Sequence, residues 1–170
     1  MKKGFLLILL LAGIGISAQS AKKEIYAVLS DEGMTFTLYY DQNKPQTGAL
    51  TPDEWGTSDY VLVRSNVEKV VFDKSMDNAY PTSTAYWFDG FNWLTTIEHI
   101  EYLHTDEVTS MTAMFWECHH LTSLDLHNFN MAKVTRTDLM FSGCNSLTTI
   151  CCDENWSKGS ITNSKDMFKG

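Results

Sequence analysis

Basic residues and cysteines are few in this sequence, and their number and spacing exclude several classes of function. The 13 Lys and Arg residues are outnumbered by 21 Asp and Glu residues, which gives a formal net charge of −8. Because phosphate binding needs clustered basic side chains, we expect no nucleic-acid partner. The four cysteines show no paired zinc spacing, and we find no G-x-S-x-G, H-E-x-x-H or phosphate-binding glycine loop. We therefore expect a protein that is not an enzyme, with no catalytic residue, cofactor or metal.

Long apolar runs are also missing, except at the N-terminus. Residues 1–21 combine the basic pair Lys2-Lys3, an apolar stretch from Phe5 to Ile16, and the small residues Ser17-Ala18. This order is typical of a cleaved signal peptide, with an uncleaved anchor as the alternative. We predict export to the cell surface or beyond, with no transmembrane helix after signal cleavage.

What the sequence does contain is an internal repeat. The segment 115–124 matches 141–150 at a shift of 26 residues, and it matches 88–97 at a shift of 27 residues. Fixed-period similarity of this kind dictates the architecture of a chain. We predict about four turns of 26–27 residues within a unit at 61–170, with the bounds 61–87, 88–114, 115–140 and 141–167 and the start of a further turn at 168–170.

The apolar positions within each turn predict its local structure. Leu124-Asp-Leu126 alternates as a half-buried strand does, and Met111, Met114 and Phe115 have the i, i+3, i+4 spacing of one helical face. One turn alone cannot bury these residues, whereas stacked turns bury them together. We therefore predict an α/β solenoid, a leucine-rich-repeat-like stack of short parallel strands and short helices. Equivalent side chains such as Phe88, Phe115 and Phe141 should then lie on one another.

The two ends of the predicted array differ. Residues 22–60 are expected to form an N-terminal β-hairpin cap, with strands at 25–29 and 34–40 around Asp31-Glu-Gly33; an independent small domain is the alternative. The segment 165–170 shows no polar cap, although stacked repeats need one at each end. We expect either a truncated array or an open end covered by a partner or a second copy.

The repeat resembles that of a known family. The segments 121–135 and 140–147 resemble the BspA-type leucine-rich-repeat surface proteins of bacteria, which have DUF285-like repeats. The resemblance covers about residues 61–170. It implies an exported or surface-displayed protein that adheres to host proteins or to other cells, but it does not name the ligand.

Candidate binding residues follow from the predicted strand face. Residues between the buried strand positions should point outward, and two tryptophans fall at repeat positions that are polar in other turns. The predicted surface consists of Glu98, Glu101, Asp125, His127, Asp153, Trp93 and Trp116.

The cysteines leave two readings open. Cys118 and Cys144 share a repeat position, so they should lie about 5 Å apart, one strand spacing, within reach of a disulfide. A pair of buried free thiols is the alternative. Cys152 takes the position of Leu126 and is expected in the core, whereas Cys151 is expected at the surface.

The function that we predict is protein binding or adhesion by an exported, non-catalytic protein. The expected partner is an extracellular protein on a host or bacterial surface. One alternative is a module that binds extracellular glycans through exposed tryptophans. Another is a secreted hydrolase whose site has no recognisable motif.

Overall fold

The computed structural model describes residues 22–52, 60, 64–154, 156 and 160–170. The segment 1–21, where the signal peptide is predicted, lies outside these residues. Seven strands are described, namely β1 (Glu24–Ser30), β2 (Thr35–Asp41), β3 (Ala49–Leu50), β4 (Lys69–Phe72), β5 (Thr96–Glu98), β6 (Ser123–Asp125) and β7 (Thr149–Cys151). Short 3-10 helices at Lys74–Asn78 and Ile100–Tyr102 follow β4 and β5.

The strands form two sheets. The larger is a mixed sheet in the order β3-β1-β2-β4-β5, and the smaller contains β6 and β7 in parallel. β1 and β2 form the expected antiparallel hairpin, joined by a turn at Asp31–Gly33 in which all three residues have positive φ. β2 then pairs in parallel with β4, and β4 pairs in parallel with β5.

The prediction of an α/β solenoid is wrong. The structure has a mixed five-stranded sheet and a separate two-stranded sheet, and from Val67 onwards no described residue is in an α-helix. The segment expected to be helical, which contains Met111 and Phe115, is a run of turns. The i, i+3, i+4 spacing of its apolar residues does not come from an α-helix. Ala113 and Glu117 adopt φ of 53° and 57°, and these left-handed residues would interrupt a helix.

The turns bond to one another across the repeat. Phe88 N–H donates to the carbonyl of Met114 at 2.9 Å, and Phe115 N–H donates to that of Met140 at 2.9 Å. The intervening N–H groups bond within their own segment, as Trp116 does to Ala113 at 3.2 Å. An α-helix would use all of these N–H groups internally, so it could not make the bonds between segments.

Equivalent side chains do contact one another in the core. The ring of Phe115 lies 5.5 Å from that of Phe88 and 5.7 Å from that of Phe141, and Phe141 lies 5.3 Å from Phe168. Phe88 and Phe115 are fully buried, whereas Phe168 is 67% exposed. The expected stacking of phenylalanines is therefore present, although the architecture predicted around it is not.

The strand pairing breaks between β5 and β6. His99, one residue after β5, adopts a left-handed φ of 61° and turns the chain into the 3-10 helix Ile100–Tyr102. The side-chain amide of Asn128 donates to the carbonyls of Ile100 and Leu103 at 3.1 Å and 3.0 Å. These bonds join the segments that follow β5 and β6, whereas the strands themselves belong to two sheets.

Candidate functional site

The charged residues of the predicted surface lie in local pairs. Lys69 Nζ on β4 is 3.4 Å from Glu98 Oε1 on β5, so these two side chains share one face of the larger sheet. Glu101 pairs with His99 at 3.2 Å in the turn after β5. Because these pairs are exposed, each contributes little to the free energy of unfolding.

Asp125 and His127 form a further pair on the smaller sheet. His127 Nδ1 lies 2.5 Å from Asp125 Oδ1, and His127 N–H donates to the same oxygen at 3.1 Å. These bonds lower the pKa of the Asp125 carboxyl, since a carboxylate that accepts hydrogen bonds is stabilised in its charged form. Both side chains are exposed, and Asp153 is half-buried. The structure therefore divides the predicted carboxylates between two sheets and does not assemble them into one acid–base site.

Of the two tryptophans in the predicted surface, Trp93 is the more exposed to solvent. It is 54% exposed, and it precedes β5 by three residues. Its ring stacks on the imidazole of His120, with 4.4 Å between ring centroids and 21° between planes. His120 Nδ1 lies 2.6 Å from the carbonyl oxygen of Asn92, which helps to hold the imidazole. Stacking fixes one face of the indole and leaves the rest of the ring available for contact.

A shallow groove of about 380 Å³ lies beside Trp93. The groove has an apolar part, formed by Trp93 and by Met34, which is 40% exposed. Its polar part carries two carboxylates, an amide and a hydroxyl, from Glu32, Glu68, Asn66 and Ser65.

Repeat register explains why a groove forms here. Lys69 pairs with Thr96, so Asn66 occupies the position of Trp93 one repeat earlier, and Trp93 occupies that of His120. The series Asn66, Trp93, His120, Ser146 is large and aromatic only at its two middle positions, and Asn66 is its small first member. The shorter Asn66 side chain leaves space between Met34 and Trp93.

The other predicted tryptophan and two of the four cysteines, Cys118 and Cys144, belong to the turn segments. Trp116 is half-buried rather than exposed. The structure shows the Cys118 and Cys144 sulfurs unlinked, and their thiols donate to the carbonyls of Phe88 and Phe115 at 3.2 Å and 3.0 Å. The disulfide between them stays a prediction. Cys151 is exposed as expected, but Cys152 is also exposed and not in the core.

Burial governs the reactivity of the two turn cysteines. Burial raises the pKa of the fully buried Cys118 thiol well above its usual range. It also raises the pKa of the half-buried Cys144 thiol to about 11. Because the thiolate is the nucleophile, these two thiols are poor candidates for chemistry at neutral pH.

A partly buried ion pair and a buried tyrosine lie outside the groove. Arg64 Nη1 is 2.6 Å from Asp89 Oδ2, and the hydroxyl of Tyr60 donates to the carbonyl of Trp87 at 2.7 Å. Burial raises the pKa of the Asp89 carboxyl, and the guanidinium of Arg64 acts in the opposite direction. We interpret these contacts as structural, because each polar group already has a partner inside the protein.

Two further features concern ligands and membranes. Within the ranges that the structure describes, no group of three or more His, Cys, Asp or Glu side chains is placed to hold a metal ion. The same ranges contain no helix with the length and hydrophobicity needed to span a bilayer.

A second groove, lined in part by Phe141, Leu147 and Phe168, lies against the last residues of the chain.

Comparison with known proteins gives one match. A family model described as "Mycoplasma protein of unknown function, DUF285" matches residues 66–170. The chain belongs to the DUF285 family. Searches of curated proteins and of solved structures found no match.

The DUF285 match coincides with the stacked part of the molecule. It begins at Asn66, in the groove, and it includes Trp93, the phenylalanine stack and both parallel strand pairs of the repeat. Five groove residues were not foreseen from the sequence: Glu32, Met34, Ser65, Asn66 and Glu68. For Asn66 a signal existed, since its short side chain occupies the repeat position that Trp93 and His120 fill in the next two turns. Met34 and Glu68 reach the groove through the pairing of β2 with β4, which the sequence pattern did not reveal.

Proposed function

We propose that this DUF285 protein is exported and acts as a non-catalytic binding protein that recognises another protein outside the cytoplasm. The observation that carries the proposal is Trp93, which is 54% exposed and held in place by its stack on His120. The exposed part of the indole offers a partner both an apolar ring surface and a polar N–H group. A pre-ordered tryptophan loses little side-chain entropy on binding, and tryptophan is enriched among the residues that dominate interface energies.

The surroundings of Trp93 support recognition over chemistry. Its neighbours in the groove are a methionine, two carboxylates and an amide, a mixture typical of contact surfaces. The exposed pair Asp125–His127 is on the other sheet. We interpret that pair as a solvated surface contact.

The sequence supplies the proposal of location. The basic start, apolar stretch and small residues of 1–21 are those of an export signal, and the resemblance to BspA-type surface proteins points to adhesion. The net charge of −8 favours a protein partner with basic patches over an acidic one.

The test compares the chain with two variants on a panel of purified extracellular matrix, serum and bacterial surface proteins. We expect saturable binding to at least one panel protein. Trp93→Ala should weaken it by about 10-fold or more, as for a central aromatic anchor. Trp116→Phe serves as the matched control, because Trp116 is half-buried outside the groove. Thermal melts of all three proteins check that they fold alike.

Two other outcomes would overturn the proposal. Binding to a glycan array that is lost in Trp93→Ala, with no binding to the protein panel, would indicate a glycan-binding module. Turnover of generic peptide, ester or glycoside substrates would indicate a secreted hydrolase. Export is tested separately by fusing residues 1–21 to a reporter enzyme that is active only outside the cytoplasm; an inactive fusion contradicts export.

A further inference from the structure

We propose that the groove beside Trp93 binds an arginine side chain of the partner protein. The groove residues that carry this inference are Trp93, Met34, Glu32 and Glu68. The inference rests on the proposed function, because it assigns the chemistry by which the same surface would recognise a protein.

The first argument is the aromatic wall. One face of the Trp93 indole stacks on His120, and the ring borders the groove where Asn66 is too short to fill the equivalent position. Tryptophan is the best of the aromatic side chains for binding a cation against its ring face. A planar guanidinium can lie flat on the indole, whereas an ammonium cannot stack in this way.

The second argument is charge. Glu32 and Glu68 bring two carboxylates to the groove, and none of the described residues that line it is basic. Both side chains are exposed, so a ligand can reach them without displacing buried groups. The two basic residues that flank the segment 65–68 are already paired, Arg64 with Asp89 and Lys69 with Glu98. The groove is therefore complementary to a cation.

The third argument is the balance of donors and acceptors. The carboxylates of Glu32 and Glu68 only accept hydrogen bonds, and Asn66 and Ser65 are the described lining residues whose side chains can donate. A guanidinium presents five N–H donors and no acceptor, which matches this acceptor-rich lining. Saccharide hydroxyls both donate and accept, so they match it less well.

The experiment titrates the full chain, labelled with ¹⁵N, with the peptide acetyl-Gly-Arg-Gly-amide. The readout is the indole N–H signal of Trp93, assigned by its loss in Trp93→Phe. We expect a saturable shift with a Kd on the order of 1–10 mM, as for one exposed cation–aromatic contact with two carboxylates. The matched neutral peptide, with citrulline in place of arginine, should bind at least about 5-fold more weakly. One molar salt should also weaken binding of the arginine peptide, since the carboxylates are exposed.

Two variants test the groove without removing Trp93. Glu68→Gln removes one carboxylate and should weaken arginine binding about 2- to 5-fold, as expected for an exposed charge pair. Asn66→Phe places an aromatic ring where later repeats have Trp93 and His120, so it should fill the groove and abolish the shift. Trp116→Phe should bind the peptide as the unaltered chain does.

The outcomes separate this inference from the proposed function. Equal binding of the arginine and citrulline peptides, or a Trp93 shift with neutral saccharides alone, would overturn the arginine assignment. If a panel protein binds in a Trp93-dependent manner but the arginine peptide causes no shift, the assignment fails and the protein-binding function stands. If the arginine peptide binds but no panel protein does, the arginine site stands and the proposed function fails.

Discussion

Each repeat contains a strand and a run of turns, and these two sides of the repeat differ in how they bond to the neighbouring repeat. On the turn side, backbone bonds join successive segments without a break, from Thr84 N–H to Ser110 O and from Thr137 N–H to Asn163 O. On the strand side, β4–β5 and β6–β7 belong to different sheets. The break lies between β5 and β6, and His99, with φ of 61°, turns the chain directly after β5. The turn-side bridges continue although their spacing changes from 27 residues (Ser83–Ser110) to 26 (Ser110–Arg136), so a change of one residue in segment length does not by itself break the stack.

The largest expected effect is the loss of stability when the central phenylalanine of the turn-side stack is replaced by alanine. Phe115 is fully buried between the rings of Phe88 and Phe141. Phe115→Ala should lower the free energy of unfolding by about 3–5 kcal/mol, measured by urea denaturation. Phe168→Ala is the control in the same series, because its ring is 67% exposed, and it should cost less than about 1 kcal/mol. Equal costs would mean that the stack is not a buried core.

A second prediction contrasts thiols on the two sides. At pH 8 the exposed Cys151 and Cys152 should react rapidly with a disulfide reagent in the folded, reduced protein. Cys144, whose pKa is raised by burial to about 11, should react about 100-fold more slowly for lack of thiolate, and the fully buried Cys118 more slowly still. Single Cys→Ser variants assign each rate. A fast reaction of Cys118 would contradict the burial of the turn segments.

A third prediction concerns the break on the strand side. Asn128→Ala removes two hydrogen bonds, to Ile100 O and Leu103 O, and leaves these carbonyls without that donor. The expected loss of stability is about 1–3 kcal/mol, again by urea denaturation. Asn128→Asp should cost at least as much, since a carboxylate would then face two carbonyl oxygens. No change in either variant would show that the bridge does not stabilise the junction between the sheets.

The smallest effect is expected at one repeat position with positive φ. Gly90 and Gly143 occupy it in two repeats, but Glu117 occupies it in the third with φ of 57°. Glu117→Gly should stabilise the protein by up to about 1 kcal/mol, because a left-handed backbone strains a residue that has a Cβ. Gly143→Ala should destabilise it, since the new Cβ would lie 3.2 Å from Glu117 Cα at φ +76°. Melting temperatures that move the other way would contradict the assigned backbone conformation.

The sequence predicted features that depend on periodic side chains. The β1–β2 hairpin followed from alternation around Gly33, and the phenylalanine stack followed from the repeat. The conformation of the turns could not be predicted, because positive φ occurs at Tyr86, Ala113 and Leu139, three residue types without a common signature. The spacing of Met111, Met114 and Phe115 fits a helical face and a run of turns equally well.

The candidate site was predicted only in part. Trp93 was found because its repeat position is polar in other turns, and its exposure agrees with that interpretation. The groove depends on Met34 and Glu32, which come from the lead-in before the repeat, and on the parallel pairing of β2 with β4. Contacts between segments so distant in sequence carry no local pattern. The sequence also did not predict which sheet lies next to each carboxylate, because that depends on the break in strand pairing between β5 and β6, where His99 turns the chain.

The central claim is that successive turn segments bond to one another through their backbones and are not helices. Scalar couplings across hydrogen bonds, measured by NMR on ¹⁵N,¹³C-labelled protein, test this directly at Phe115. The structure predicts a coupling from Phe115 N to the carbonyl carbon of Met140, whose oxygen accepts the bond at 2.9 Å. A coupling from Phe115 N to the carbonyl carbon of Met111, four residues earlier, would indicate an α-helix and contradict the account.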